Sequence, residues 1–145
     1  MRRWVRLSLV LLAVPWAAVF VVALCLDPYK DGRVWFQETH RQLGMRACTF
    51  QELVGLPCPS CGMTTSFTLL MHGDLWHSVQ ANFVGTMLAI FGLVFIPWSV
   101  ASAWQGRLLF VQRLEPILLR LVVAFMAMMF GRWAVVLVIH FLWPT

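Results

Sequence analysis

Residues 7–26 and 83–103 carry no charge, and residues 117–143 are interrupted only by Arg120 and Arg132. Each run has roughly the 20 residues that a helix needs to cross a hydrocarbon core about 30 Å thick. A helix or a closed barrel is all that can keep its backbone hydrogen-bonded there. The runs therefore set the class: an all-α membrane protein with three transmembrane helices at about 5–26, 83–103 and 117–143, in a single membrane domain over residues 1–145. Composition agrees, since 61% of the residues are hydrophobic and 12% charged, against roughly half and a quarter in soluble domains. Little chain is left for a soluble catalytic domain.

The first run follows Arg2, Arg3 and Arg6. It is longer than the apolar region of a signal peptide, about 7–15 residues, and "ALCLDP" lacks the small residue pair a peptidase prefers, so it reads as a retained span. Leu24 is too large for a lipoprotein cleavage site before Cys25, which reads as a small apolar residue. Trp4, Trp76, Trp98, Trp104 and Trp143 fall near span boundaries, where amphipathic rings sit at headgroup level. Arg107, Arg113 and Arg120 cluster after the second run, whereas Lys30, Arg33, Arg41 and Arg46 are diluted over residues 27–82. The positive-inside rule then puts the amino terminus and second loop in the cytoplasm and the loop 27–82 outside. The net charge of +5 is explained by orientation, and no nucleic-acid partner is expected. The partners expected are the lipid bilayer and other membrane proteins or a second copy of the chain.

Asp27, Pro28, Lys30, Asp31 and Gly32 mark a turn into a solvated connection. "VWFQETHRQLG" reads as a short interfacial helix ending at Gly44, with Trp35 and Phe36 on its apolar side and His40 as a surface histidine. "GLPCPSCGMTTSF" follows. Residues 62–72 are uncharged, and as a helix they set Cys61, Thr65, Thr68 and His72 on one face and Met63, Phe67 and Leu70 on the other. About three turns cannot cross a bilayer, so this is expected to be a re-entrant or interfacial helix. Gly73 ends it, and Asp74 is placed to cap a helix that starts at Leu75 and continues into the second span.

Three chemistries fit this corner. A helix start lowers the pKa of a preceding thiol, so Cys58 would attack and Cys61 resolve in a membrane thiol–disulfide redox protein. A thioredoxin fold needs a βαβ context, and Cys48 alone is half of a second pair. For a metal, with zinc the ion such ligands take, Cys58, Cys61, His72 and His77 approach a two-Cys, two-His spacing. His72 would then lie roughly 16 Å along the helix from Cys61, so Cys48 is the better third ligand, with His40, His77 or water fourth. In the third reading, Pro57, Pro59 and Gly62 shape a tight turn whose thiols form an external disulfide. The preferred function is an accessory or interaction protein whose outward corner is held by metal or disulfide. Redox exchange is the alternative, and metal transport, which three spans could serve only as an oligomer, is third. No Gly-rich phosphate loop, Ser-His-acid set or carboxylate pair appears, so the reading leans away from an enzyme.

"CTF", "GLPCPSCGMTTSF", "HGDL" and "ANFVG" together resemble a bacterial family of small membrane proteins, domain of unknown function 2752, over roughly residues 44–90. The matching positions are Cys48, Pro57, Cys58, Pro59, Cys61, Gly62, Thr64, Gly73, Asp74 and Asn82. Thr65 stands where many members have arginine, and Phe83 where they have proline. The resemblance implies a multi-pass protein of the bacterial cytoplasmic membrane and assigns no activity.

Arg132 lies inside an apolar run, where a charge costs about 2.5–3.5 kcal/mol on insertion scales and marks a functional candidate. It is expected about 22 Å along its helix, toward the outer face. There it would pair with Asp74 or with thiolate and backbone groups of the corner, or snorkel past Trp133 to the headgroups. Gln80 and Asn82 are expected in helix–helix hydrogen bonds. Met126, Met128 and Met129 read as packing, and His140 as interfacial.

Overall fold

The computed structural model describes residues 3–30, 32–37, 39–56, 58–109 and 114–142. Its elements are α1 (Arg3–Cys25), a two-residue hairpin of β1 (Tyr29–Lys30) and β2 (Arg33–Val34), a 3-10 helix (Thr39–Leu43), α2 (Thr49–Val54), α3 (Met63–Met71), α4 (Leu75–Gln105) and α5 (Leu114–Leu142). Arg3–Cys25, Leu75–Gln105 and Glu115–Leu142 are long and apolar enough to cross a membrane. The expected all-helical membrane class is the one observed.

α1 and α4 run antiparallel, and opposite charges meet at one end of the pair. Arg6 donates from Nε to the Ala103 carbonyl at 2.7 Å and from Nη2 to the Trp104 carbonyl at 3.1 Å. A cation is favourable there, because the last carbonyls of α4 are unsatisfied and carry the negative end of its dipole. Midway along the pair, Gly92 lies against the indole of Trp16, so close that a Cβ would collide with the ring. Trp16 stacks on Phe20 at 6.0 Å and on Phe67 of α3 at 6.3 Å, and Phe20 stacks on Phe67 at 5.8 Å. This aromatic set holds the three helices together.

α3 is wedged between α1 and α4, and Thr65, Ser66, Phe67, Thr68 and Leu69 are all buried. Its apolar face meets α1 as the pattern required, with Met63 and Leu70 packed beside Phe67. Its polar face is covered as well, by protein rather than water. The Ser78 Oγ donates to the Ser66 carbonyl at 2.7 Å and meets the Thr86 hydroxyl at 2.8 Å. Thr65 meets Thr39 of the 3-10 helix, hydroxyl to hydroxyl at 2.7 Å. Small hydroxyl side chains permit this close approach.

Three local expectations differ from the structure. Among the described residues the 34–44 stretch is helical only over Thr39–Leu43, and its start is drawn into the hairpin by the pairing of Val34 with Tyr29. Trp35 receives Lys30 over its ring at 4.4 Å, and Phe36 lies against His77 at 5.9 Å. Trp98, expected near a span boundary, sits with Pro97 inside α4, which continues to Gln105. α4 starts at Leu75, yet its path breaks at Asn82, where the backbone is extended at φ −162° and ψ 102°. Asn82 is thus the N-cap of a second helical segment starting at Phe83: its Oδ1 accepts from the Gly85 amide, three residues on, at 3.1 Å.

Gly62 adopts φ +80°, and a Cβ there would stand 2.6 Å from the Ala81 carbonyl oxygen. Gly62→Ala should therefore lower stability by about 1–3 kcal/mol, the usual cost of a strained left-handed residue, or more if the Ala81 contact is lost. Gly131→Ala, where nothing lies within 4 Å of the added carbon, should not destabilise. Thermal unfolding of both variants in detergent checks the contrast, and equal melting temperatures would remove the special role of Gly62.

Candidate metal centre

The corner is built by two consecutive turns, in which the Cys61 amide donates to the Cys58 carbonyl and the Met63 amide to the Ser60 carbonyl, each at 3.1 Å. α3 begins two residues after Cys61, with Gly62 as its left-handed N-cap. Pro59 lies in the first turn; Pro57 lies outside the described residues. Cys48 arrives from the other direction, as the residue before α2. The Sγ atoms of Cys48, Cys58 and Cys61 all lie within 4.8 Å of one another. All three thiols are free and half-buried, and Cys25 is free and exposed on α1.

The two motif thiols differ in acidity. Burial raises the Cys58 thiol, but hydrogen bonds from the Ser60 hydroxyl and amide and from the other two cysteines outweigh it, so its pKa lies below the ordinary value. The Ser60 Oγ stands 3.1 Å from the Cys58 sulfur. Burial dominates at Cys61 and pushes its thiol up to about 12. Beside the thiols lies a cavity of about 200 Å³, walled by Gln37, His40, Cys48, Gln51, Ser60, Cys61, Gly62, Thr64 and Thr65.

The corner is pinned to the spans by Asn82 and Arg132. The Asn82 Nδ2 donates to the Cys61 carbonyl at 3.1 Å, and the residue is almost wholly buried. Because Asn82 Oδ1 takes the Gly85 amide, the Ala81 carbonyl accepts instead from Arg132 Nη2, at 3.3 Å. The expected partner Asp74 is engaged elsewhere. It caps α4 through the His77 amide, meets His77 Nδ1 at 2.7 Å and accepts from the Tyr29 hydroxyl at 3.1 Å. Gly73, at φ +83°, makes the turn between α3 and α4. Thr64 contributes its carbonyl to Thr68 and its side to the cavity wall.

Of the histidines, His72 bonds the Thr68 carbonyl at 2.8 Å and His77 is held by Asp74. Neither lines the cavity, as helix length required for His72. Sequence reasoning missed Thr39, Gln37 and Gln51, whose proximity depends on how the 3-10 helix and α2 fold back. It had a usable signal for the seam in Ser78, Asn82 and Thr86, spaced by four on one helix face.

The donor set is three sulfurs with the cavity of about 200 Å³ beside them. Zinc–sulfur bonds of about 2.3 Å put tetrahedral sulfurs about 3.8 Å apart, so a spread within 4.8 Å needs only a small contraction. Residues 48–96 match the model of a family described as "Protein of unknown function (DUF2752)". The matched stretch begins at Cys48 and takes in the corner, α3 and α4 as far as Ile96. No curated protein and no solved structure matches the chain.

Hydrogen bonds from His77 and Tyr29 outweigh desolvation and hold the Asp74 carboxyl below its ordinary pKa. Its contribution to stability is complete above the unfolded value and is lost as pH falls through the lowered folded one. The melting temperature in detergent should therefore drop on acidification less steeply in Asp74→Asn than in the unaltered chain. Parallel pH profiles of the two proteins would remove Asp74 as an acid-sensitive cap.

Proposed function

We propose that this is a small multi-pass protein of the bacterial cytoplasmic membrane whose outward corner holds a zinc ion on Cys48, Cys58 and Cys61, and that it acts as an accessory or interaction protein. The observation that carries the reading is the convergence of three free thiols from two separate segments of chain. The ion ties the 27–62 connection to the helical hairpin and fixes the shape of the surface offered to a partner, a neighbouring membrane protein or a second copy. Arg3, Arg6 and Arg107 gather at the opposite end of the α1–α4 pair, which supports a cytoplasmic amino terminus and an external corner.

Thiol–disulfide exchange is the second reading, favoured by the contrast between a Cys58 thiol of lowered pKa and a Cys61 thiol held protonated by burial. One experiment separates the two. Protein purified without added metal, as the unaltered chain and as Cys48→Ser, is assayed for bound zinc by mass spectrometry. Intact cells of a Cys25→Ser strain are labelled with an impermeant maleimide. About one zinc per chain, at least tenfold less in Cys48→Ser, and labelling enhanced by chelator support the metal corner. Labelling that appears only after reduction, in protein without zinc, overturns it in favour of the dithiol. Labelling confined to lysed cells overturns the orientation.

A further inference from the structure

Arg132 is a cation in a helix with no buried residue among those described, and its hydrogen-bond acceptor, the Ala81 carbonyl, is neutral. Among the described residues no carboxylate pairs with it, since Asp74 belongs to His77. A charge at that depth calls for a countercharge. The guanidinium reaches the corner through the Ala81 carbonyl, whose oxygen lies against Gly62, the residue after Cys61. A zinc ion with three thiolates carries a net charge of −1, so the metal reading supplies the missing anion. A neutral fourth ligand would preserve that balance, whereas a fourth thiolate would make it −2.

The imidazole on the cavity wall is His40, a donor that adds no charge when it binds a metal. Its Nε2 lies 3.2 Å from the Arg46 carbonyl, which can only accept, so the ring proton belongs on Nε2 and the lone pair on Nδ1. Metal-bound histidines are arranged this way, with the second ring nitrogen donating to a carbonyl or carboxylate. The Thr39–Thr65 hydroxyl contact at 2.7 Å keeps the 3-10 helix against α3, and Arg46 precedes the ligand Cys48 by two residues. His72 and His77 are engaged through Nδ1 and lie off the cavity.

We propose that the centre is a Cys48, Cys58, Cys61 and His40 site of net charge −1, and that Arg132 is its countercharge across the membrane boundary. The proposal rests on the metal reading above. His40 stands outside the 4.8 Å group of thiols, so coordination draws its ring across the cavity and closes it.

The test is cobalt substitution in the purified full-length protein, read by visible and near-ultraviolet absorption and by competition with a chelator of known affinity. His40→Ala should weaken cobalt binding by about 10–100-fold or more and shift the ligand-field bands. His40→Cys should restore tetrahedral binding with a stronger thiolate charge-transfer band. Arg132→Leu should weaken binding roughly tenfold, while Arg132→Lys retains it. An unchanged spectrum and affinity in His40→Ala would make solvent the fourth ligand. Unaltered affinity in Arg132→Leu would remove the countercharge role. Either result overturns this proposal while leaving the three-cysteine site standing. Failure of the unaltered chain to bind cobalt or zinc would instead overturn the metal reading itself.

Discussion

A helix that breaks inside an apolar environment must find partners for the groups it frees, and the break at Asn82 is solved by one buried side chain. Its Oδ1 takes the Gly85 amide and its Nδ2 takes the Cys61 carbonyl. The carbonyl left over, on Ala81, goes to Arg132. An unpaired buried polar group costs about 1–3 kcal/mol, so these bonds are favourable chiefly as a set. They join the cysteine corner, α4 and α5 at one point. Gly62 permits that junction, because a side chain at its position would occupy the space of the Ala81 oxygen.

α3 illustrates how a nine-residue helix can be held without spanning anything. One side stacks Phe67 into the aromatic set of α1, and the other lays serine and threonine hydroxyls into a seam with α4. Burial of hydroxyls is tolerable only when each is paired. Among the described residues no buried side-chain nitrogen or oxygen lacks a partner. The seam gives α3 a fixed register against α4, since Ser78 must reach the Ser66 carbonyl, and that register carries Cys61 to its place beside Asn82.

Long-period features were legible in the sequence, and contacts across the chain were not. Hydropathy gave the three spans, and the Gly73–Asp74 pair gave the turn and cap between α3 and α4, because these depend on neighbours within a few positions. The amphipathic pattern of residues 62–72 was read correctly for Phe67, but what covers its polar face was left open, because no local pattern distinguishes water from a facing row of hydroxyls. The 34–44 stretch failed for a related reason: pairing of Val34 with Tyr29 overrode the helical pattern at its start. Cys48 was recognisable as a third thiol through chain length alone. That Arg132 would turn to a backbone group was among the expectations, but which carbonyl was not, since one freed by a break about fifty residues earlier in the chain leaves no signature of its own.

The corner is thus part local and part global. Cys58 and Cys61 are brought together by two turns that residues 58–63 can form unaided. Cys48 joins them only when the chain beyond the 3-10 helix, itself seated on α3, folds back to the corner, and the position of α3 depends on α1 and α4. An ion held by all three would therefore bind the folded chain far more tightly than the unfolded one, and binding of that kind stabilises what it selects. α5 enters the same linkage through Arg132. With no buried residue among those described, it is the element whose seating would depend most on a charge held at the corner, and an ion bound there would couple the chemistry of the cysteines to the arrangement of the spans.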